Sequence, residues 1–216
     1  MPRCLPASFT LALATLTIAA CEVTIDPDTE MSAPSFEIEL DASLAEGAQD
    51  GRLLVMLATH DDEEPRFLID NSADTQLIFG IQVEGWQPGS TAVVDASAKG
   101  FPLAMDEVPD GSYYVQALLN RYKDFNLSNG KVVSLPPERG EGQQWNRKPG
   151  NFYSQPVKVD ITSSSLTRVV LDQVIPEIEP PADTEYVRHI KMRSELLSEF
   201  WGEDVYLGAH VLLPHG

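Results

Sequence analysis

The densest set of chemically capable side chains in this 216-residue sequence lies between Gln143 and Tyr153. Trp145, Asn146, Arg147, Lys148, Phe152 and Tyr153 fall there, among Gly140, Gly142, Pro149 and Gly150. Aromatic faces beside a guanidinium and an amide suit stacking on a sugar or anchoring a partner protein. Buried, the same rings would form a lid over a core or a seat for a following domain, since long loops with large aromatics serve either purpose. The lid or interdomain seat is the simpler expectation, and small-ligand binding is the alternative. Asn120-Arg121-Tyr122 ends an apolar run and can join the same surface; otherwise it is a polar strand end. The candidate binding residues are therefore Trp145, Asn146, Arg147, Tyr153, Arg121 and Tyr122.

Other chemistry is thinly supplied. A serine hydrolase needs a nucleophile on a tight elbow, a histidine base and an acid to orient it. Gly-x-Ser-x-Gly does not occur, and Ser194 and Ser198 lack elbow glycines, so both read as capping or turning residues. His60, His189, His210 and His215 form no His-x-x-x-His or Glu-x-x-His pair, so zinc is not expected. His189 and His210 fall in strand-like runs as structural groups. His60-Asp61-Asp62-Glu63-Glu64 offers oxygen ligands of the kind calcium takes, but without the spaced Asp-x-Asp-x-Asp-Gly pattern it reads as a solvated loop. No catalytic set and no cofactor are expected from these residues.

Charge narrows the partners. Asp and Glu number 33 against 15 Lys and Arg, a net charge of −18. Such a chain repels phosphate backbones, which argues against nucleic acid. With 43% hydrophobic and 22% charged residues it is neither a multi-span membrane protein nor a wholly disordered chain.

The elements that must position these residues are strands. Phe36 to Leu40 alternates strictly. Asp50-Gly51 reads as a turn before Arg52 to Leu57, an apolar run suited to a central strand. Further runs are Leu77 to Glu84, Thr91 to Val94, Ser112 to Leu119, Val157 to Ile161 and Leu166 to Val174, separated by Pro and Gly signals. No helix stands out. The pattern predicts an all-β, antiparallel sandwich over residues 36–175, large enough to hold a core without disulfides. Val108-Pro109-Asp110-Gly111-Ser112-Tyr113-Tyr114-Val115 resembles the turn-into-strand element of transthyretin-like sandwiches, a class close to immunoglobulin-like domains. There glycine takes the positive φ, and Tyr113 and Val115 face the core together.

The first twenty residues are an address. Arg3 precedes an uncharged run, Leu5 to Ala20, too short to span a bilayer. It ends Ile18-Ala19-Ala20-Cys21, which resembles the lipobox of bacterial lipoproteins. The resemblance implies a leader over 1–20, lipid on Cys21 and attachment to the membrane through those acyl chains. Glu22, in place of the Asp that marks inner-membrane retention, implies the outer membrane. Residues 21–35 read as a tether from the lipid to the domain.

Residues 176–185, with Pro176, Pro180 and Pro181 among acids, read as a semi-rigid linker. Beyond it, Val205, Leu207, Ala209, Val211 and Leu213 alternate on one face. Ser194 to Gly216, closing on His210-Val211-Leu212-Leu213-Pro214-His215-Gly216, resembles the opening strands of esterase-like α/β-hydrolase domains. Together with Gln144-Trp145-Asn146-Arg147-Lys148-Pro149-Gly150-Asn151, the arrangement resembles a family of bacterial esterase-like proteins in which this sandwich precedes a hydrolase. Residues 186–216 are then the incomplete start of a second domain. The resemblance implies an accessory domain of a cell-envelope hydrolase that positions or covers it and contributes to substrate binding. The partner is then a following hydrolase domain or another envelope protein. The alternative is a stand-alone surface lipoprotein that binds a ligand or partner and has no enzymatic role.

Overall fold

The computed structural model describes residues 33–214 apart from Ala73 and Arg139. The leader, Cys21 and the tether as far as residue 32 lie outside the described residues, as does His215. In chain order the strands of the main domain are β1 (Ser35–Leu40), β2 (Gln49–Ala58), β3 (Leu77–Trp86), β4 (Thr91–Val94), β5 (Lys99–Phe101) and β6 (Gly111–Arg121). They continue as β7 (Lys123–Asn126), β8 (Val132–Leu135), β9 (Phe152–Tyr153), β10 (Val157–Ile161), β11 (Leu166–Leu171) and β12 (Gln173–Val174).

These strands build an all-β sandwich. The larger sheet runs β12-β9-β6-β2-β3-β5 with β10 also beside β6, and the smaller runs β11-β1-β4. Every pairing in the larger sheet is antiparallel. The smaller sheet holds one parallel pair, β1 with β11, beside the antiparallel pair of β1 with β4.

Alternation explains the core. On β2, Leu53, Val55 and Leu57 point inward, where they meet Phe36, Ile38 and Leu40 of β1 and Val169 and Leu171 of β11. Leu54 and Met56 point to the other side, where Leu118 of β6 and Ile175 join them beneath Trp145 and Tyr153. A strand covered on both faces reads as an unbroken apolar run, as Arg52 to Leu57 does. Tyr113 and Val115 both enter the inner core. The Tyr113 hydroxyl donates to the Pro109 carbonyl at 2.9 Å, and burial, with Asp110 nearby, pushes its pKa up.

The parallel β1–β11 pair departs from the expected antiparallel sandwich, Gly111 is not among the glycines at positive φ, and three more features differ from the sequence pattern. Asp50-Gly51 is not a turn but a bulge inside β2, where the register against β3 shifts. A Cβ on Gly51 would stand 2.3 Å from the Asn120 carbonyl oxygen, so the bulge requires glycine. The last apolar run is divided: β11 belongs to the smaller sheet, and β12, two residues on, pairs with β9 in the larger. The third feature is one short helix, α1 (Glu195–Trp201).

After a stretch without helix or strand over residues 176–185, β13 (Val187–Arg193) pairs antiparallel with β14 (Tyr206–Leu212), α1 lying between them in sequence. Ser194 caps α1 by accepting the Leu197 N–H at 3.4 Å, and Gly202 ends it at φ 72°. The buried Ser198 hydroxyl donates to the Ser194 carbonyl at 2.7 Å and accepts the Val205 N–H at 2.9 Å. This unit docks on the β7–β8 arm. The Trp201 and Phe125 rings meet edge-on at 5.3 Å, the Ser128 N–H donates to the Phe200 carbonyl at 2.9 Å, and Lys123 pairs with Glu203.

Candidate functional site

The loop from Gln144 to Ser154 is held by partners far away in sequence. Arg66 is its hub. The Arg66 guanidinium bonds both Glu64 carboxylate oxygens, at 2.9 and 3.3 Å, and donates to the Asn146 carbonyl at 3.2 Å. Its carbon lies 4.5 Å from the Phe67 ring centre and 4.2 Å from that of Tyr153. Asn146 answers by donating its amide to the Arg66 carbonyl at 3.1 Å, and Arg147 lies 5.0 Å over Phe67.

Gln116 closes the network from β6. It is fully buried on the outer side of the larger sheet. Its amide oxygen accepts the Arg66 N–H at 3.0 Å, and its amide nitrogen donates to Glu64 at 2.7 Å and the Ser154 carbonyl at 2.9 Å. A buried amide with its hydrogen bonds made stabilises the fold, whereas an unmade one costs about 1–3 kcal/mol. Asn151, also fully buried, ties the other end of the loop: it accepts the Arg121 N–H at 3.0 Å and donates to the Trp145 carbonyl at 2.8 Å.

The six candidate residues therefore fall into two groups. Trp145 and Tyr153 pack on Met56, Leu118 and Ile175, and Asn146 and Arg147 join them around Arg66 and Phe67. Arg121 and Tyr122 line a separate polar cavity of about 380 Å³ with Lys123, Lys148, Asn151 and Glu177. Arg121 donates to Gln49 at 2.7 Å and to the Gly150 carbonyl at 3.0 Å, and lies 4.4 Å over the Phe152 ring. The Lys148 ammonium, almost fully buried, donates to the Arg121 carbonyl at 2.6 Å. The cavity gathers three cations in an acidic chain, with one carboxylate contributed by the linker.

Sequence reasoning missed Arg66, Gln116 and Gln49, the partners that lock the loop. Each stands in an ordinary local pattern, and only long-range pairing reveals its part. His189 and His210 face each other across the β13–β14 ribbon at 4.5 Å, and the Asp183 carboxylate accepts the His189 N–H at 2.8 Å. That backbone bond, reinforced by the His189 ring, holds the Asp183 pKa below the usual range. Among the described residues no cluster of three His, Cys, Asp or Glu is arranged to hold a metal, and no helix is long and apolar enough to cross a membrane.

The class that fold and site define is an all-β sandwich with a docked strand–helix–strand unit. Comparison of the chain with protein-family models, curated proteins and solved structures found no match.

Proposed function

We propose that the chain carries the accessory sandwich and opening strands of an esterase-like hydrolase, held at the bacterial outer membrane by lipid on Cys21. The carrying observation is the β13–β14 ribbon. Directly paired residues share a face in an antiparallel ribbon. Ile190 with Ala209 and Met192 with Leu207 therefore lie on one side, and Leu213, whose N–H donates to the Tyr186 carbonyl, extends it. Ile190, Met192 and Leu207 are 46%, 56% and 46% exposed. An apolar ribbon face with open edges is marginal in water and is the form taken by the first strands of a larger sheet. The resemblance of Ser194–Gly216 to the opening of α/β-hydrolase domains supports reading that sheet as a hydrolase's.

In this reading the sandwich positions the hydrolase through the β7–β8 arm, and ester cleavage belongs to residues beyond Gly216. The test is the coding sequence that follows the Gly216 codon. A Gly-x-Ser-x-Gly elbow with downstream Asp and His supports the proposal. An immediate stop codon overturns it and leaves a binding lipoprotein.

A further inference from the structure

The β13–β14 ribbon sets two imidazoles side by side. The Leu213 N–H donates to the Tyr186 carbonyl at 2.7 Å, and the Ser194 N–H donates to the Val205 carbonyl at 2.8 Å. These two bonds fix the phase of the ladder. His189 and His210, directly opposed, fall in a non-hydrogen-bonded pair, the kind in which facing side chains stand closest. Their ring centres are 4.5 Å apart, edge to face. The sequence lacks the spacings that pair metal-binding histidines along one helix, but the ribbon pairs two across its strands.

The first ring is held at one nitrogen. In such a pair the backbone N–H points away from the partner strand, and that of His189 donates to the Asp183 carboxylate at 2.8 Å. The same oxygen lies 3.1 Å from His189 Nδ1. An ionised carboxylate only accepts, so Nδ1 carries the proton and Nε2 keeps its lone pair. A histidine that ligates a metal almost always gives its other N–H to a carboxylate, carbonyl or water, which fixes the ring and raises its basicity. Among the described residues nothing hydrogen-bonds His189 Nε2 or the exposed His210 ring.

There is room beside the pair. Gly208, two residues from His210 and on the same face, leaves open space where a side chain would stand. The nearby cations are engaged elsewhere. Lys191, opposite Gly208, lies 4.9 Å over the Tyr206 ring, on the side farther from the histidines. Arg193 donates to Asp204 at 2.6 Å.

We infer that His189 and His210 bind a divalent cation of the zinc class through one ring nitrogen each, with Asp183 as the orienting carboxylate and water in the remaining positions. Imidazole suits zinc, nickel and copper, whereas magnesium and calcium take oxygen. An ion held from both strands staples the ribbon, since whatever binds only the paired form stabilises it. This assignment does not rest on the hydrolase reading.

The test follows the His189 and His210 rings of the full chain by NMR during a zinc titration. Both should shift along one saturating curve and stay put in magnesium, and amide exchange at Ile190 and Ala209 should slow as zinc saturates. His210→Phe keeps a ring on the strand but offers no nitrogen. Its His189 ring should no longer respond to zinc, while protected amides at Ile190 and Ala209 show that the ribbon is intact. Asp183→Asn still accepts both N–H groups through its amide oxygen and should weaken zinc binding about tenfold through loss of the charge. No saturating shift in either ring, with zinc taken up elsewhere on the acidic surface, would mark an adventitious ion only. That result, an equal response to magnesium, binding at His189 retained in His210→Phe, or affinity unchanged in Asp183→Asn would each overturn the assignment.

Discussion

The guanidinium of Arg66 stacks on the ring of Tyr153, 4.2 Å from its centre. A ring that sequence alone offers to a ligand is thus occupied from within, by a cation 87 positions away. Because Arg66 is itself buried against Glu64 and Asn146, the stack is part of what closes the outer side of the larger sheet.

Arg66→Ala should therefore cost about 1–3 kcal/mol in urea unfolding, the range for leaving buried hydrogen-bonding groups without a partner, since the Glu64 side chain is itself 35% exposed. Tyr153→Phe keeps the stacked ring and should cost less than about 1 kcal/mol. A loss below 1 kcal/mol for Arg66→Ala would show that the loop closes without its hub.

Two glycines separate the stability of the sandwich from that of the docked unit. At Gly51 a methyl group meets the backbone of β6 at 2.3 Å, inside the larger sheet. Gly51→Ala should lower the main thermal transition, by about 1–3 kcal/mol of overpacking or more. At Gly202, with φ 72°, the methyl meets the Asn126 carbonyl at 2.4 Å. Gly202→Ala should release α1 from the arm, change Trp201 fluorescence and leave the main transition in place.

Truncation after Pro180 makes the same division in another way. Every residue of the inner core precedes the linker, so the midpoint should stay nearly constant. Solubility should rise with removal of the exposed ribbon. The local loss should be confined to the β7–β8 arm, where Phe125, Ser128 and Lys123 lose Trp201, Phe200 and Glu203, read as faster amide exchange over β7 and β8. A large fall in midpoint would show that the docked unit is integral to the sandwich.

The Glu138 clasp should respond to acid. Burial pushes its pKa up, but the N–H groups of Gly142, Gly140 and Gln143, with the Gln143 side chain, outweigh it and leave the value below that of an ordinary glutamate. A lowered folded pKa means that the clasp's contribution is present above the unfolded value and is lost as pH falls through the folded one. NMR of the Gly140 and Gly142 amides should show this step on the acid side of ordinary glutamate titration. Glu138→Gln should remove the step, and its persistence would assign it to another group.

Lipid at Cys21 is checked by mass spectrometry of the membrane-extracted protein. The expected N-terminal peptide begins at an acylated Cys21, and an intact Ala20–Cys21 bond would end the lipoprotein reading.

Alternation made β1 and β10 legible in the sequence, apolar runs made β2, β3, β6 and β11 so, and the Pro88-Gly89 turn marked the start of β4. The short β5 and β9 and the arm strands β7 and β8 were not, since two to four residues carry no period of their own. Asp50-Gly51 misled because the same dipeptide that favours a tight turn also permits a close approach of backbones. At the candidate site, composition marked the loop as unusual but not how it was held. Asn146 bonds Arg66 across 80 positions and Arg121 bonds Gln49 across 72, separations at which local pattern carries no information.

The pairing of β1 with β11 sets a timetable. Glu37 and Arg168 bond across it at 2.6 Å, 131 positions apart. A chain made from its N-terminus exposes the β1 edge that awaits β11 until the far strand has emerged. At about 5–20 residues per second this interval is roughly 7–26 s. Throughout it, β1 keeps one edge unpaired, although β4 on its other side and β2 across the core are already made. Closure by the farthest strands also makes folding slow for the size of the domain, because loop entropy is lost before the contact rewards it. Until then the newborn sandwich carries an open strand edge of the kind that invites pairing with another chain.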